Sequence, residues 1–207
     1  MKRSLLSFIA VVLIVAAYSH PARGQSVKPN CSLTDATSPT LHGVRLGMSA
    51  QQVLAAFAGS AENGDVRRSL EEAKKPEAND TAYLTFDMSS SPKEKKGASA
   101  PNESLSVTLY KGRVIALGAT YFGFSFNSLD EWIGKLSESF ALPAAREWIA
   151  GASEAPNKIL KCNGIEIEAT IEGGSASIRL RNTEHDRLMQ ERIRAEEEKR
   201  RKEFRPN

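Results

Sequence analysis

GIEIEATIEGGSASIRLRN, residues 164–182, carries its own register. Apolar and polar side chains alternate on both arms, the period of a strand with one buried face. A two-residue Gly173-Gly174 turn sets Glu172 opposite Ser175. Counting back from the turn pairs Ile171 with Ala176, Ala169 with Ile178 and Ile167 with Leu180, all apolar. The opposite face pairs Glu168 with Arg179 and Glu166 with Arg181, unlike charges across the ladder. Each such pair contributes only about 0.2–1 kcal/mol. Because both faces agree on one register, the stretch is expected to form an antiparallel hairpin with a buried side and a solvated one.

The chain ahead of this hairpin supplies its helix. Ser128 and Glu131 have capping-box spacing, and Leu129, Trp132, Ile133, Leu136 and Phe140 form an apolar stripe. Glu131 and Lys135 are expected to pair on the polar face, and Pro143 to end the helix. REWIAG and NKILKC read as strands leading into the hairpin. The same order occurs earlier. Ser49 and Gln52 form a first capping box, with Ala50, Val53, Leu54 and Phe57 at helical spacing and Gly59 closing the helix. ENGDVRRSLEEAKKPEAND reads as a polar connection with weak helical character and no clear apolar face. TAYLTFDM alternates as a strand, SSSPKEKKGASAPNE is a loop by composition, and SLSVTLY, Lys111-Gly112 and RVIALGATYF make a hairpin.

The expected fold class is therefore α+β, with two tandem helix-plus-antiparallel-meander units and a charged C-terminal helix. The units span residues 40–123 and 124–182, between an extended N-terminal arm (25–39) and the helix (183–207).

The first hairpin does not count as cleanly. A Lys111-Gly112 turn pairs Leu109 with Val114 and Val107 with Ala116, but leaves Ile115 and Leu117 on the outer face. Two readings stand. A β-bulge after Val114 rotates these residues inward, or the half carries an apolar outer patch. In the second case Tyr83, Tyr110, Ile115, Leu117 and Tyr121 form a candidate partner surface.

Residues 1–24 read as a secretory signal peptide. Lys2 and Arg3 precede an apolar run from Leu5 to Tyr18, and Ala22 and Gly24 form a small-x-small exit cleaved after Gly24. An uncleaved anchor is the alternative, for which the run is short. Nothing later is long and apolar enough to span a bilayer, so a secreted or periplasmic location is expected. The chain has two cysteines, Cys31 and Cys162. In an oxidising compartment they are most simply one disulfide, the alternative being two free thiols.

Composition narrows the function classes. The 207 residues are 41% hydrophobic and 26% charged, with a formal net charge of +3. That charge is too slight and too evenly spread for a nucleic-acid footprint. No nucleophile elbow and no zinc-protease helix motif occurs. Neither His42 nor His185 has ligand spacing to a cysteine, so no cofactor or metal is expected. The C-terminal stretch carries acid-before-base pairs four apart, Glu196–Arg200, Glu197–Arg201 and Glu198–Lys202. Its Leu188, Met189 and Ile193 are placed to pack the first turns on the body. Gly43 to Ser49 lacks the lysine and the glycine spacing of a phosphate loop, and reads as a turn opening a helix.

GVRLGMSAQQVLAAFAG, residues 43–59, nevertheless resembles a signature of small bacterial envelope proteins. These are the outer-membrane assembly lipoproteins of the SmpA/OmlA type and the β-lactamase-inhibitor-protein-like (BLIP-like) modules. The match runs through Gly43, Leu46, Gly47, Met48, Ser49 and Val53. The duplicated helix-and-meander order resembles the tandem form of that fold, and the C-terminal stretch resembles the tails of uncharacterised secreted bacterial proteins. The resemblance implies non-catalytic binding of an envelope or secreted protein. This chain lacks the lipoproteins' anchoring cysteine, and its distant cysteine pair is unlike the inhibitors' short local disulfides, so no family binding residue transfers. Two other classes stay open: a secreted enzyme using His42 or a surface carboxylate, and a structural envelope protein whose charged helix contacts anionic polymers.

Overall fold

Helix α1 (Ala50–Ala56) starts on the capping box read from the sequence. Ser49 Oγ accepts from Gln52 N at 3.3 Å, and Ser49 N donates to Gln52 Oε1 at 2.8 Å. Ahead of it, Leu41 and Val44 exchange main-chain hydrogen bonds of 2.8 and 2.9 Å around His42 and Gly43, both at positive φ. Gly47 has φ +77°, and a Cβ there would lie 3.1 Å from the Asp35 Cβ, so the turn needs glycine. The computed structural model describes residues 31–57, 59–75, 80–88 and 103–204. The signal peptide, the start of the arm and nearly all of SSSPKEKKGASAPNE lie outside the described residues.

Helix α2 (Gly64–Glu72) realises the weak helical character of that connection and corrects the reading that it has no apolar face. Asn63 caps it by accepting from Asp65 N and Val66 N at 2.9 and 3.3 Å. Val66 is buried, and Leu70 and Ala73 pack against the core. That stripe recurs at helical spacing but is thin, and the charged residues around it mask it.

The strands are β1 (Thr81–Asp87), β2 (Glu103–Tyr110), β3 (Arg113–Phe122), β4 (Ile149–Ala150), β5 (Asn157–Cys162), β6 (Ile165–Glu172) and β7 (Ser175–Asn182). They form one antiparallel seven-stranded sheet in the order β1-β2-β3-β7-β6-β5-β4. The two meanders thus meet through their last strands, with Leu117 opposite Leu180 and Ala119 opposite Ile178. Every pair counted from the Gly173-Gly174 turn is present, from Glu172–Ser175 back to Glu166–Arg181. REWIAG is strand only at Ile149–Ala150; Ala145–Glu147 forms a 3-10 turn instead.

Helix α3 (Leu129–Phe140) buries Trp132, Ile133 and Leu136. Ser128 Oγ caps Glu131 N at 3.2 Å, but Glu131 Oε2 turns back to Asn127 N at 2.8 Å. Lys135 therefore pairs with Glu138, at 3.4 Å, rather than with Glu131. The helix closes at Ala141 in the left-handed region, two residues before Pro143.

Helices α1, α2 and α3 share one side of the sheet, which also receives Leu84, Leu105, Val107, Leu117, Ile167, Ile178 and Leu180 as a single core. The β2–β3 register slips between Thr108 and Leu109, leaving Ile115 as the extra residue. This bulge pairs Val107 with Leu117, so Leu117 points into the core where an unbulged count places it outside.

Helix α4 (Thr183–Glu203) follows β7 directly, capped by Asn182 Oδ1 on His185 N at 3.1 Å. Arg192 Nη1 reaches Asp80 Oδ2 at 2.7 Å, and Thr81 Oγ1 donates to Met189 Sδ at 3.8 Å. Three strand spacings of about 4.8 Å separate β7 from β1, about the ~14 Å that α4 rises between Thr183 and Arg192. The helix thus crosses the outer face at one end of the sheet. Met189 and Ile193 are half-buried there, Leu188 stays exposed, and every residue from Glu197 to Phe204 is exposed.

Candidate functional site

The residues selected from the sequence go to three environments. Cys31 and Cys162 are bonded, with Cα atoms 4.8 Å apart, which ties the N-terminal arm to β5 and fits an oxidising compartment. Tyr83 projects from the outer face and is 68% exposed. Tyr110 and Ile115 are buried, at 8% and 1%, Tyr110 beneath Arg192 of α4. Arg192 of α4 hydrogen-bonds Asp80, Tyr110 and Glu196, which holds its guanidinium protonated even more firmly than usual. Leu117 lies in the core, and Tyr121 packs on the helix side. The five residues therefore do not make one surface; Leu117 and Tyr121 pack on the helix side, Tyr110 and Ile115 are buried, and Tyr83 alone of the five is exposed.

Tyr121 belongs to another constellation. It stands directly across the ladder from Glu103 at the far end of β2 and β3. The Glu103 Oε2 atom is 3.2 Å from His42 Nε2, with both side chains about three-quarters buried. That nitrogen makes no aligned hydrogen bond. His42 reaches this place because the Leu41–Val44 turn presents it on the helix side of the sheet.

Aromatic rings continue from Tyr121. Its centroid is 6.2 Å from Phe124 and 5.5 Å from Trp132, at interplanar angles of 86° and 67°. Phe126 closes the circuit, 6.4 Å from Phe124 and 4.9 Å from Trp132. The Trp132 indole is fixed by donating Nε1–H to Ser177 O at 3.0 Å. A cleft of about 200 Å³ opens between these rings and α3, with Glu103, Lys135 and Ser139 as its polar lining. Sequence reasoning did not assemble this site, although the aromatic run Tyr121, Phe122, Phe124 and Phe126 was its available signal. A second cavity, of about 400 Å³, lies between α1, α2 and the floor made by Ala82 and Leu109. Its walls are mostly aliphatic and bring together no comparable chemistry.

Burial first, and then the negative charge of Glu103, raise the Tyr121 phenol above its usual 10.0. The folded state thus favours the neutral phenol. The stability this contributes is complete below the unfolded value near 10 and is lost as pH rises through the higher folded value. In a phenolate absorbance titration, Tyr121 is expected to ionise above the usual tyrosine value. Tyr121→Phe should delete that raised phase; an unchanged profile would refute the assignment.

No group of three or more His, Cys, Asp or Glu side chains is placed to hold a metal ion among the described residues. No helix among them is long and apolar enough to cross a membrane. Comparison with protein-family models, with curated proteins and with solved structures found no match.

Proposed function

We propose that this chain is an exported, non-catalytic binding protein that engages a protein partner through the outer face of its sheet. The observation that supports this reading is the asymmetry of the sheet. Among the described residues, one face is covered by α1, α2 and α3, whereas the other is crossed only at one end by α4 and leaves Tyr83 68% exposed. Exposed Thr85, Ser106 and Arg179 continue the face across β1, β2 and β7. An exposed tyrosine and an exposed arginine on one sheet face are the residue types enriched at protein-contact surfaces.

The order helix, meander, helix, meander supports two tandem units of the envelope-protein type that the Gly43–Val53 signature resembles. Main-chain bonds from Gly47 to Val114 and from Ala50 to Gly112 dock that signature on the β2–β3 hairpin, which gives it a folding role. Export rests on the N-terminal sequence together with the disulfide. The mature chain is expected to begin at Gln25, which N-terminal peptide mass analysis of the exported protein reads directly.

Affinity capture from envelope extract, comparing the mature chain with Tyr83→Arg and Arg179→Glu, tests the binding reading. Loss of the same captured protein with both variants is the expected result. A partner indifferent to both overturns the outer-face assignment. Ile115→Lys is unsuitable here, because Ile115 is buried and its replacement would disturb folding.

The enzyme alternative has one observation on its side, the approach of Glu103 to His42 beside a cleft. It predicts that turnover of a cleft-bound substrate is abolished by His42→Asn while binding persists.

A further inference from the structure

The cleft at the end of β2 and β3 combines a circuit of aromatic rings with one acidic group. Lys135, the only cation among the described residues that line it, is directed at Glu138 on its own helix, 3.4 Å away. Glu103 accepts no aligned hydrogen bond from a side chain among the described residues, and the ionisable side chain nearest to it there is His42, at 3.2 Å. Apart from Glu103, Lys135 and Ser139, the lining is aromatic or aliphatic. Its volume, about 200 Å³, is below the ~300–1,000 Å³ of pockets that take drug-sized molecules.

We infer that this cleft binds the head of a small organic cation, an alkylated ammonium, against the rings of Tyr121, Phe124, Phe126 and Trp132, with Glu103 as the counter-charge. The negative faces of aromatic rings attract a cation over distances up to about 6 Å. Alkyl groups give such a cation an apolar skin that loses little hydration on entering an aromatic cleft. A bare ammonium or metal ion would surrender strong hydration for few oxygen ligands. An anion would meet Glu103, and a neutral apolar group would desolvate that carboxylate without balancing it. Glu103 also raises the Tyr121 phenol, so its field reaches the wall of the cleft. The site is on the helix side of the sheet, opposite Tyr83, and is independent of the proposed partner surface.

The test uses the mature chain and tetramethylammonium, followed by nuclear magnetic resonance at the Trp132 indole N–H. A saturable shift confined to residues lining the cleft is expected. Glu103→Gln and Phe124→Ala should each weaken it about tenfold, as loss of the counter-charge or of one cation–ring contact predicts. Phe124 is 38% exposed, so its truncation leaves the main core intact, and a thermal melt verifies folding of both variants. tert-Butanol, similar in shape but neutral, should give no saturable shift at matched concentrations. Equal binding of tert-butanol overturns the proposal in favour of a merely apolar cleft. Absence of a tetramethylammonium shift overturns it outright, and sensitivity to Glu103→Gln alone reduces the site to a simple ion pair.

Discussion

Replacing both Cys31 and Cys162 with serine is expected to lower the stability of the fold by about 4–5 kcal/mol. The bond joins residues 131 apart in sequence, and loop-closure entropy of a chain that long gives this magnitude. For a protein of this size the loss corresponds to a fall in melting temperature of roughly 10–15 °C. The structure adds a reason why the effect should spread. Downstream of Cys31, Asp35 Oδ1 accepts from Asn182 Nδ2 at 2.8 Å, and Asn182 is the residue that caps α4. Releasing the arm therefore loosens the start of α4 as well as the β5 edge. Circular-dichroism melts of the oxidised protein, the reduced protein and the double variant provide the measurement. A shift below about 2 °C would show that the bond constrains little.

Leu117→Ala is expected to cost about 3 kcal/mol, within the range for emptying a fully buried leucine site. Leu117 is 1% exposed and stands between Val107 and Leu180 at the centre of the sheet. Tyr83→Ala, two strands away on the opposite face, should stay within about 0.5 kcal/mol of the parent protein. Urea denaturation separates the two through the midpoint at constant m-value. Equal costs would mean that the β2–β3 register has no bulge, because an unbulged count moves Leu117 to the outer face opposite Ser106.

The two hairpins show what can be read locally. In 164–182 the turn and the strands share one register, so apolar and charged partners meet without adjustment. In the first hairpin the turn is equally legible, but the extra residue at Ile115 changes facing partway along β3. A bulge is decided by which face the rest of the molecule covers, and that information lies outside the hairpin. Helix α2 was obscured for a related reason. Val66, Leu70 and Ala73 form a narrow stripe, and only β1 and the core behind it make that stripe sufficient.

The cleft depended still more on assembly. Phe124 and Phe126 lie in a connecting segment, Trp132 belongs to α3, and Glu103 opens β2. Strand pairing places Glu103 opposite Tyr121, the Leu41–Val44 turn delivers His42, and packing of α3 brings Trp132 onto Tyr121. None of these approaches has a signature in sequence spacing.

The amino-acid sequence by itself determined the capping box of α1, the cap of α3, the register of the second hairpin, the pairing of the two cysteines as the simplest disulfide, and the α+β class. Each depends on residues near one another in the chain, or on the count of a single residue type. Only the tertiary structure decided which side of each strand is covered, where the bulge turns Leu117 inward, and that Arg192 of α4 closes over Tyr110. Burial is set by whichever distant segment arrives at a face, and local periodicity records a preference for cover without naming what supplies it.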